Sequence, residues 1–305
     1  MSTDPAAPRV NGDPGGRSRS RRRRGDAQPT SGSDRANGRA GRNLPAAIAV
    51  GLGMGAVTLA SLLLWRPAFL GLAVVGVVAA TWELTRAMRT AGAAPPMVPV
   101  LAGGVAMVVA AWFWGAEALG LGLLVTVLAV MVWRLSEGPT GYQRDVGAAT
   151  LVTTYVPFLG GFAVLLAVPD DGHWRVLVTL AVVVLSDTGG YVAGVLFGRH
   201  PMAPRISPKK SWEGLAGSLL AASLGGAVGL RVGGFDVAWW WGAVFGLAVA
   251  VASVVGDLAE SMLKRDLGVK DMSALLPGHG GVMDRLDSIL FAAPTAYLLL
   301  RLLAP

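Results

Sequence analysis

The sequence predicts an all-α, polytopic integral membrane protein with about nine transmembrane helices, and three observations support this fold class. First, 53% of the 305 residues are hydrophobic and only 15% are charged, with a mean hydropathy of +0.55, which is too apolar for an ordinary soluble domain. Second, apolar runs of about 20 residues, the length that crosses a bilayer as a helix, recur along the chain. Third, lysine and arginine concentrate in alternate loops between these runs.

Glycine, proline and charged residues separate the apolar runs and set the limits of each span. The predicted spans are 46–64, 68–87, 97–114, 117–133, 146–168, 174–197, 213–230, 238–260 and 286–303. If the N-terminus is cytoplasmic, twelve of the Lys and Arg residues after the first 43 fall on the cytoplasmic side and four fall on the other. This asymmetry follows the positive-inside rule, and it favours nine spans with the N-terminus inside.

Residues 1–44 are predicted to form a disordered, arginine-rich cytoplasmic tail. Ten of the 26 Lys and Arg lie there, among almost no large apolar side chains that could repay the entropy of folding. We interpret the tail as an anchor that contacts anionic lipid head groups, in preference to a nucleic-acid-binding segment. Two membrane regions are predicted after it, N-terminal transmembrane helices over 45–170 and a C-terminal catalytic region over 171–305.

Acidic residues are distributed unevenly between these two regions. Those in the first 170 residues, such as Glu117, Asp170 and Asp171, are expected at span ends, where water reaches them and no function is required. After residue 170, acids and lysines form three clusters. The chain has no cysteine, so disulfides, zinc–thiolate sites and a thiol nucleophile are excluded, and any chemistry must come from oxygen, nitrogen or a bound ion.

The first cluster is LSDTGGYVAGVLFGR, residues 185–199. Asp187 lies inside an otherwise apolar span, about 15 Å from its cytoplasmic end. A carboxylate at that depth is costly, which indicates that it faces a polar cavity; the alternative is an Asp that serves helix packing. The glycines that follow it at close to helical spacing are interpreted as sites where two helices approach closely.

The second cluster is RISPKKSWEG, residues 205–214. Pro208 favours an extended conformation at Ser207, so that Lys209 and Lys210 present two compact positive charges beside the membrane. Phosphate is the natural partner of such charges, although an ordinary positive-inside loop also contains lysines. Glu213, at the mouth of the next span, favours the phosphate interpretation, because a simple anchoring loop gains little from an acid there.

The third cluster runs from VGDLAESMLKRD to LLPGHGGVMDRLDS. On a helix, Asp257, Glu260, Ser261 and Lys264 share one face, because they follow each other at i, i+3, i+4 and i+7. A second acidic helix start, with Asp284, follows a glycine-rich loop whose N–H groups can approach a phosphate. Carboxylates from separate elements are the ligands that Mg²⁺ prefers, so these clusters predict a site for phosphate and metal.

Together the clusters resemble the phosphatidate cytidylyltransferases, also called CDP-diacylglycerol synthases. The run SMLKRDLGVKDMSALLPGHGGVMDRLD, residues 261–287, is similar to the long signature of that family at every defined position. SDTGGY and SPKKSWEG are similar to its upstream motifs, with Ser211 where Thr is common and Gly190 where Ala is common. The specific resemblance covers about residues 180–295.

The resemblance implies a multi-span, homodimeric enzyme of the inner cell membrane, surrounded by membrane lipids and without a nucleic-acid partner. It would condense CTP with phosphatidic acid to give CDP-diacylglycerol and pyrophosphate at its cytoplasmic face. Asp257 and Asp284 would hold Mg²⁺, with a second cation left open, and Lys209 and Lys210 would join them in catalysis. The residues expected to bind substrate are Ser207, Lys209, Lys210, Glu213, Asp187, His279 and Asp287.

Two other functions stay open at this point. A CTP-dependent lipid kinase would use similar groups but would release CDP instead of pyrophosphate. A multi-span lipid or ion transporter also places acids within the membrane, but they would line a path across the bilayer, whereas here they converge on one face. For His279, donation to a phosphate and bracing of its glycine-rich loop are equally compatible with the sequence.

Overall fold

A computed structural model describes residues 44–273, 275 and 280–303 of the chain. The predicted tail therefore lies outside the described residues, apart from residue 44. The helices are α1 (Leu44–Leu64), α2 (Arg66–Thr90), α3 (Met97–Ser136), α4 (Tyr142–Thr153), α5 (Leu159–Ala167), α6 (Gly172–Phe197), α7 (Trp212–Val232), α8 (Trp239–Asp266) and α9 (Met283–Leu303). A π-helical turn, Thr154–Phe158, joins α4 to α5 without a break.

The described part of the chain is a bundle of apolar helices. Seven of its helical elements are long and apolar enough to cross a membrane, counting residues 142–167 as one. Backbone N–H and C=O groups have no water to bond in hydrocarbon, so a long apolar run satisfies them internally by forming a helix. The prediction of an all-α, polytopic membrane protein is confirmed.

The 40-residue element α3 is a hairpin of two helices that turns at Gly115. Gly115 has φ 79° and ψ −163°, which is not helical and which a residue without a side chain adopts most easily. Gly103 packs against Thr126, and Gly122 packs against Met107. In a straight helix residues 103 and 126 would be about 35 Å apart, so the two halves are antiparallel. The predicted spans 97–114 and 117–133 therefore lie in two separate helices.

Helices α6, α7, α8 and α9 pack against one another in chain order, and α9 also packs on α5. Of the four apolar clusters in the described residues, two contain most of the buried side chains. One cluster includes residues from each of the helices α5 through α9, such as Phe245 of α8 and Ala292 of α9. The other includes residues of α2, α3, α4 and α9, such as Leu84 of α2 and Leu290 of α9. Helix α9 belongs to both clusters, so it connects the earlier helices to the later ones.

Helices α6, α7 and α8 approach each other closely through glycines. A Cβ atom on Gly189 of α6 would lie 2.7 Å from the carbonyl oxygen of Gly217 in α7. A Cβ atom on Gly246 of α8 would lie 2.0 Å from the carbonyl oxygen of Ala222. These contacts confirm that glycines of the first cluster permit close helix packing, and they fix α6 and α8 on either side of α7.

A short antiparallel hairpin connects α6 to α7. Its strands are β1 (Pro201–Ala203) and β2 (Ser207–Ser211), which the sequence predicted only as a loop. Pro208 explains the extended backbone, because proline cannot continue a helix and favours an extended residue before it. The Ser211 side chain then accepts a hydrogen bond of 3.1 Å from the Gly214 N–H and caps the start of α7. The hairpin thus presents its lysines at one end of the bundle.

Acidic residues of the earlier helices are not all where the sequence predicted. Asp170 is exposed, as expected. The expectation of water-accessible span ends is wrong for Glu83 and Asp145, both of which are buried. Asp145 accepts hydrogen bonds from Arg134 at 2.9 Å and from the Ala94 N–H at 2.7 Å, and these partners come from other parts of the chain. Local sequence around an acid does not reveal such distant donors.

Candidate active site

A cavity of about 610 Å³ lies among α6, α7, α8, α9 and the β1–β2 hairpin. Each of these elements contributes polar side chains to its wall. Six of the residues predicted for the site line it, namely Asp187, Lys209, Lys210, Asp257, Asp284 and Asp287. The fold therefore brings together side chains from all three sequence clusters, which are separated by up to a hundred residues along the chain.

Asp257 of α8 and Lys210 of β2 form an ion pair across this cavity. Their side chains are 32% and 24% exposed, so the pair is accessible from the cavity. The Ser261 hydroxyl donates to Asp257 at 3.3 Å, one helical turn away. This contact confirms that residues 257 and 261 share a helix face, and it leaves Lys210 within reach of both the carboxylate and a bound anion.

Asp284, in the first turn of α9, is held by three donors. Its Oδ1 accepts a hydrogen bond of 2.8 Å from the Lys264 ammonium group. Its Oδ2 accepts from the backbone N–H groups of Met272, at 3.1 Å, and Gly281, at 2.7 Å. Lys264 also pairs with the fully buried Glu260. The orientation of the Asp284 carboxylate is thus fixed by the loop before it and by α8.

Three carboxylates of like charge face the cavity close together. Asp187 of α6 and Asp287 of α9 each lie near enough to Asp257 for electrostatic repulsion. Within the described parts of the chain, neither Asp187 nor Asp287 forms an ion pair with a cationic side chain. Repulsion between such groups is relieved when a cation binds between them or when one takes up a proton. The cavity is therefore suited to a bound cation.

The donor chemistry of the cavity fits Mg²⁺. No group of three acidic, histidine or cysteine side chains in the described residues is arranged to hold a metal ion on its own. Mg²⁺ is usually bound by one or two carboxylates, while waters and substrate phosphates complete its coordination. The carboxylates of Asp257 and Asp284, which line one cavity with two lysines beside them, match that pattern.

Two other predicted site residues, Ser207 and Glu213, lie outside the cavity lining. Ser207 begins β2, opposite Ala203 of β1, and is not among the residues that line the cavity. Glu213 is also absent from the lining. Its carboxylate accepts from the N–H groups of Arg199 and His200, at 3.2 and 3.3 Å, and lies 2.5 Å from the His200 ring, so it holds the base of the hairpin. His279 lies outside the described residues.

Comparison with known proteins places this cavity in a family. A model of the "Cytidylyltransferase family" matches residues 45–303, which is most of the chain. The chain belongs to the cytidylyltransferase family. The matched range includes both strands and every helix, apart from the first residue of α1. All the residues that line the cavity therefore lie within the part of the chain that matches the family.

Three proteins named phosphatidate cytidylyltransferase illustrate how similar this chain is to known relatives. The phosphatidate cytidylyltransferase of Mycobacterium leprae is 42% identical over 281 residues, which cover 87% of this chain and 90% of that protein. The protein of the same name from Mycobacterium tuberculosis is 42% identical over 87% of this chain and 84% of its own length. That of Helicobacter pylori is 43% identical over 50% of this chain and 56% of its own.

The cavity also contains polar residues that were not predicted from the sequence as site residues. Lys264, Asp271 and Arg285 line it together with Tyr191 and Ser218. A signal existed for Lys264, because it shares a helix face with Asp257. The signal for Asp271, which follows the end of α8, was its place in the run 261–287 that resembles the family signature. Outside the cavity, Glu83 of α2 was also not predicted to have a function, although a carboxylate within an apolar span is itself a signal of function.

Proposed function

We propose that this member of the cytidylyltransferase family transfers the cytidylyl group of CTP to phosphatidic acid, with the cavity among α6–α9 as its active site. The products are CDP-diacylglycerol and pyrophosphate. Two relatives that match nearly their whole length carry the name phosphatidate cytidylyltransferase. The observation that carries the assignment is the Lys210–Asp257 pair, because it places a cation suited to phosphate beside a carboxylate suited to a metal ion in one cavity.

The reaction is a substitution at phosphorus. An anionic oxygen of phosphatidic acid attacks the α-phosphorus of CTP, a new P–O bond forms, and the bond from the α-phosphorus to the oxygen that bridges it to the β-phosphate breaks. Pyrophosphate leaves with the bonding electrons. The attacking oxygen is already ionised near neutral pH, so no strong base is needed, and the main obstacle is repulsion between two polyanions.

The lysines of the hairpin would reduce this repulsion with their positive charges. Lys209 is exposed and Lys210 is half-buried, and both face the cavity where the phosphates would lie. A bound triphosphate competes with Asp257 for Lys210, and the ammonium group can shift toward the negative oxygens without leaving the cavity. Lys264 stays between Glu260 and Asp284, so its charge balances the carboxylates.

Asp257 and Asp284 would hold Mg²⁺, and Asp187 and Asp287 lie in the same cavity if a second cation is used. When bound, the ion would neutralise charge on the triphosphate and on the leaving pyrophosphate. The contribution of the chain is to orient the carboxylates. Asp284 is oriented by its three donors, and Asp257 by Ser261 and Lys210.

Purified protein in detergent, incubated with labelled CTP and phosphatidic acid, tests the proposal. We expect a labelled liponucleotide and an equal amount of pyrophosphate, both dependent on Mg²⁺. Release of CDP with a phosphorylated lipid would identify a lipid kinase instead, and failure to consume CTP would overturn both. Protein purified in the same way with Asp257→Asn serves as the control for contaminating enzymes.

The enzyme is proposed to be a homodimer of the inner cell membrane, with the hairpin and the cavity mouth in the cytoplasm, where CTP is found. The natural absence of cysteine makes orientation simple to measure. A cysteine at Arg205→Cys, in the hairpin, should react with an impermeant reagent only in inverted vesicles. A cysteine at Asp236→Cys, between α7 and α8, should react only in intact cells. Native mass spectrometry in detergent tests the dimer.

A further inference from the structure

Glu83 is an acidic residue in the middle of an apolar helix, far from the cavity-lining set in sequence. It lies in α2 and its side chain is 0% exposed. Its carboxylate accepts three hydrogen bonds, from the Ser273 hydroxyl at 2.5 Å, the Val282 N–H at 3.0 Å and the Met283 N–H at 2.8 Å. Ser273 and Val282 belong to the segment that links α8 to α9, and Met283 is the first residue of α9.

The backbone donors explain why an acid is required at this position. Helix α9 begins at Met283, and the first N–H groups of a helix have no partner within it. Here a carboxylate from another helix accepts two N–H groups at that start, where the positive end of the helix dipole also favours negative charge. Glu83 therefore caps α9 from a distance of 200 residues along the chain.

Gly281 connects this cap to Asp284. A Cβ atom on Gly281 would lie 2.6 Å from an oxygen of Glu83, so a side chain there would push the carboxylate away. The Gly281 N–H donates to the Asp284 carboxylate at 2.7 Å. Residues 281–283 are thus held between two acids, Glu83 on the side of α2 and Asp284 on the side of the cavity.

We propose that Glu83 is a positioning residue, which holds residues 281–283 and thereby orients the Asp284 carboxylate for catalysis. The inference rests on the proposed function, since Asp284 is assigned there to the catalytic centre. Glu83 is not among the residues that line the cavity. It acts through Ser273 and through the backbone at the start of α9. Residues that orient a metal-binding group typically contribute about 10- to 100-fold to activity.

The test compares Glu83→Gln with the wild-type protein. Glutamine has nearly the same size, but only one oxygen for three donors, so an N–H of the chain must face the amide NH₂. We expect kcat for liponucleotide formation to fall by about 10- to 100-fold, with the KM for CTP changed by less than about threefold. Hydrogen exchange should also become faster at the backbone amides of residues 281–286, in the absence of CTP, lipid and metal.

Thr81→Val is the matched control. Thr81 lies in the same helix, is 1% exposed and has a hydroxyl without a hydrogen-bond partner in the described structure. Valine fills the same volume, so this variant should keep the wild-type kcat and the wild-type exchange rates at residues 281–286. If Glu83→Gln does not fold, Ser273→Ala removes one donor alone and should change both quantities in the same direction by a smaller amount.

Three results would overturn the inference. The first is a folded Glu83→Gln protein with the kcat and amide exchange of the wild type. The second is a loss of activity that appears only as a higher KM. The third is an equal loss of activity in Thr81→Val, which would mean a general effect on packing. A wild-type protein that makes no liponucleotide would instead refute the proposed function, and the exchange measurement would still report whether Glu83 holds the start of α9.

Discussion

The helices before residue 168 and those after it use charged residues in opposite ways. In the earlier part, Arg134 and Asp145 are both nearly inaccessible and pair with each other at 2.9 Å. In the later part, Asp187, Asp257 and Asp287 gather like charges around an open cavity. Buried charges that neutralise each other leave nothing for a ligand. The five aspartates that line this cavity outnumber its four lysine and arginine side chains, and such a surplus of carboxylates marks a position suited to a cation.

The largest expected effect follows from removing one charge of the cavity. Asp257→Asn keeps the size of the side chain but removes a negative charge from the cavity and from the partner of Lys210. We expect turnover of CTP to fall by about 100-fold or more, as when a key electrostatic group is lost. Asp284→Asn should have a similar effect. Steady-state kinetics in detergent, with a size-exclusion profile to show intact folding, measures both.

Asp266→Asn is the control for these variants. Asp266 ends α8, is exposed and does not line the cavity. It carries the same charge on the same helix as Asp257, so a loss of activity in this variant would show that net charge near the membrane, and not the position of the carboxylate, matters. Near-normal turnover in Asp257→Asn would contradict the contrast between the two regions.

The two adjacent lysines are expected to differ from each other. Lys210 pairs with Asp257, whereas Lys209 lines the cavity with a more exposed side chain. Loss of a hydrogen bond to a charged group costs about 1.5–3 kcal/mol, so Lys210→Ala should lower kcat/KM by about 10- to 100-fold. Lys209→Ala should have a smaller effect that appears mainly in KM. If neither substitution changes kcat or KM, both lysines would be ordinary residues of a positive-inside loop.

Packing in the later region gives an effect of intermediate size. Gly246→Ala would place a methyl group 2.0 Å from the carbonyl oxygen of Ala222, and the backbone of α7 cannot move away without separating from α8. Overpacking of this kind costs about 1–3 kcal/mol, and we expect a lower Tm with a proportionate loss of activity. Gly120→Ala, in α3, has open space around the new methyl group and should be neutral or slightly stabilising.

The smallest effect on catalysis is expected in the earlier region. Asp145→Ala removes the partner of Arg134 and the acceptor of the Ala94 N–H, so the protein should unfold at a lower temperature in detergent. Because this pair lies outside the cavity, kcat and KM of the folded protein should stay within about twofold of wild type. A specific loss of kcat would mean that the earlier helices also contribute to the chemistry through this pair.

The sequence predicts the fold well where the determining interactions are local. Hydropathy and length locate the spans because a helix in lipid satisfies its own backbone. The break at Gly115 could also be predicted from the sequence, because Gly115 and Glu117 interrupt an apolar run there. The shared helix face of residues 257, 260, 261 and 264 follows from the 3.6-residue period alone, and the contacts of Ser261 and Lys264 confirm it.

Interactions between residues that are far apart along the chain could not be predicted from the sequence. Nothing near Glu83 indicates that its donors are 190 to 200 residues away. The role of Glu213 also depends on a hairpin that folds back onto it, and a local pattern predicts an acid at the mouth of a span without revealing that its oxygens face the chain. The pattern of the three clusters predicted a shared site for phosphate and metal, but the contacts that join them in one cavity are visible only in the structure.

The link between Glu83 and the start of α9 also has a consequence for biosynthesis. Glu83 is made 200 residues before Met283, an interval of about 10–40 s at a synthesis rate of about 5–20 residues per second. Throughout that time α2 is in place without the donors that its carboxylate accepts in the finished protein. The joining of α2 to α9 can therefore occur only after α9 has been made, and ribosomes stalled before α9 should yield an inserted but inactive chain.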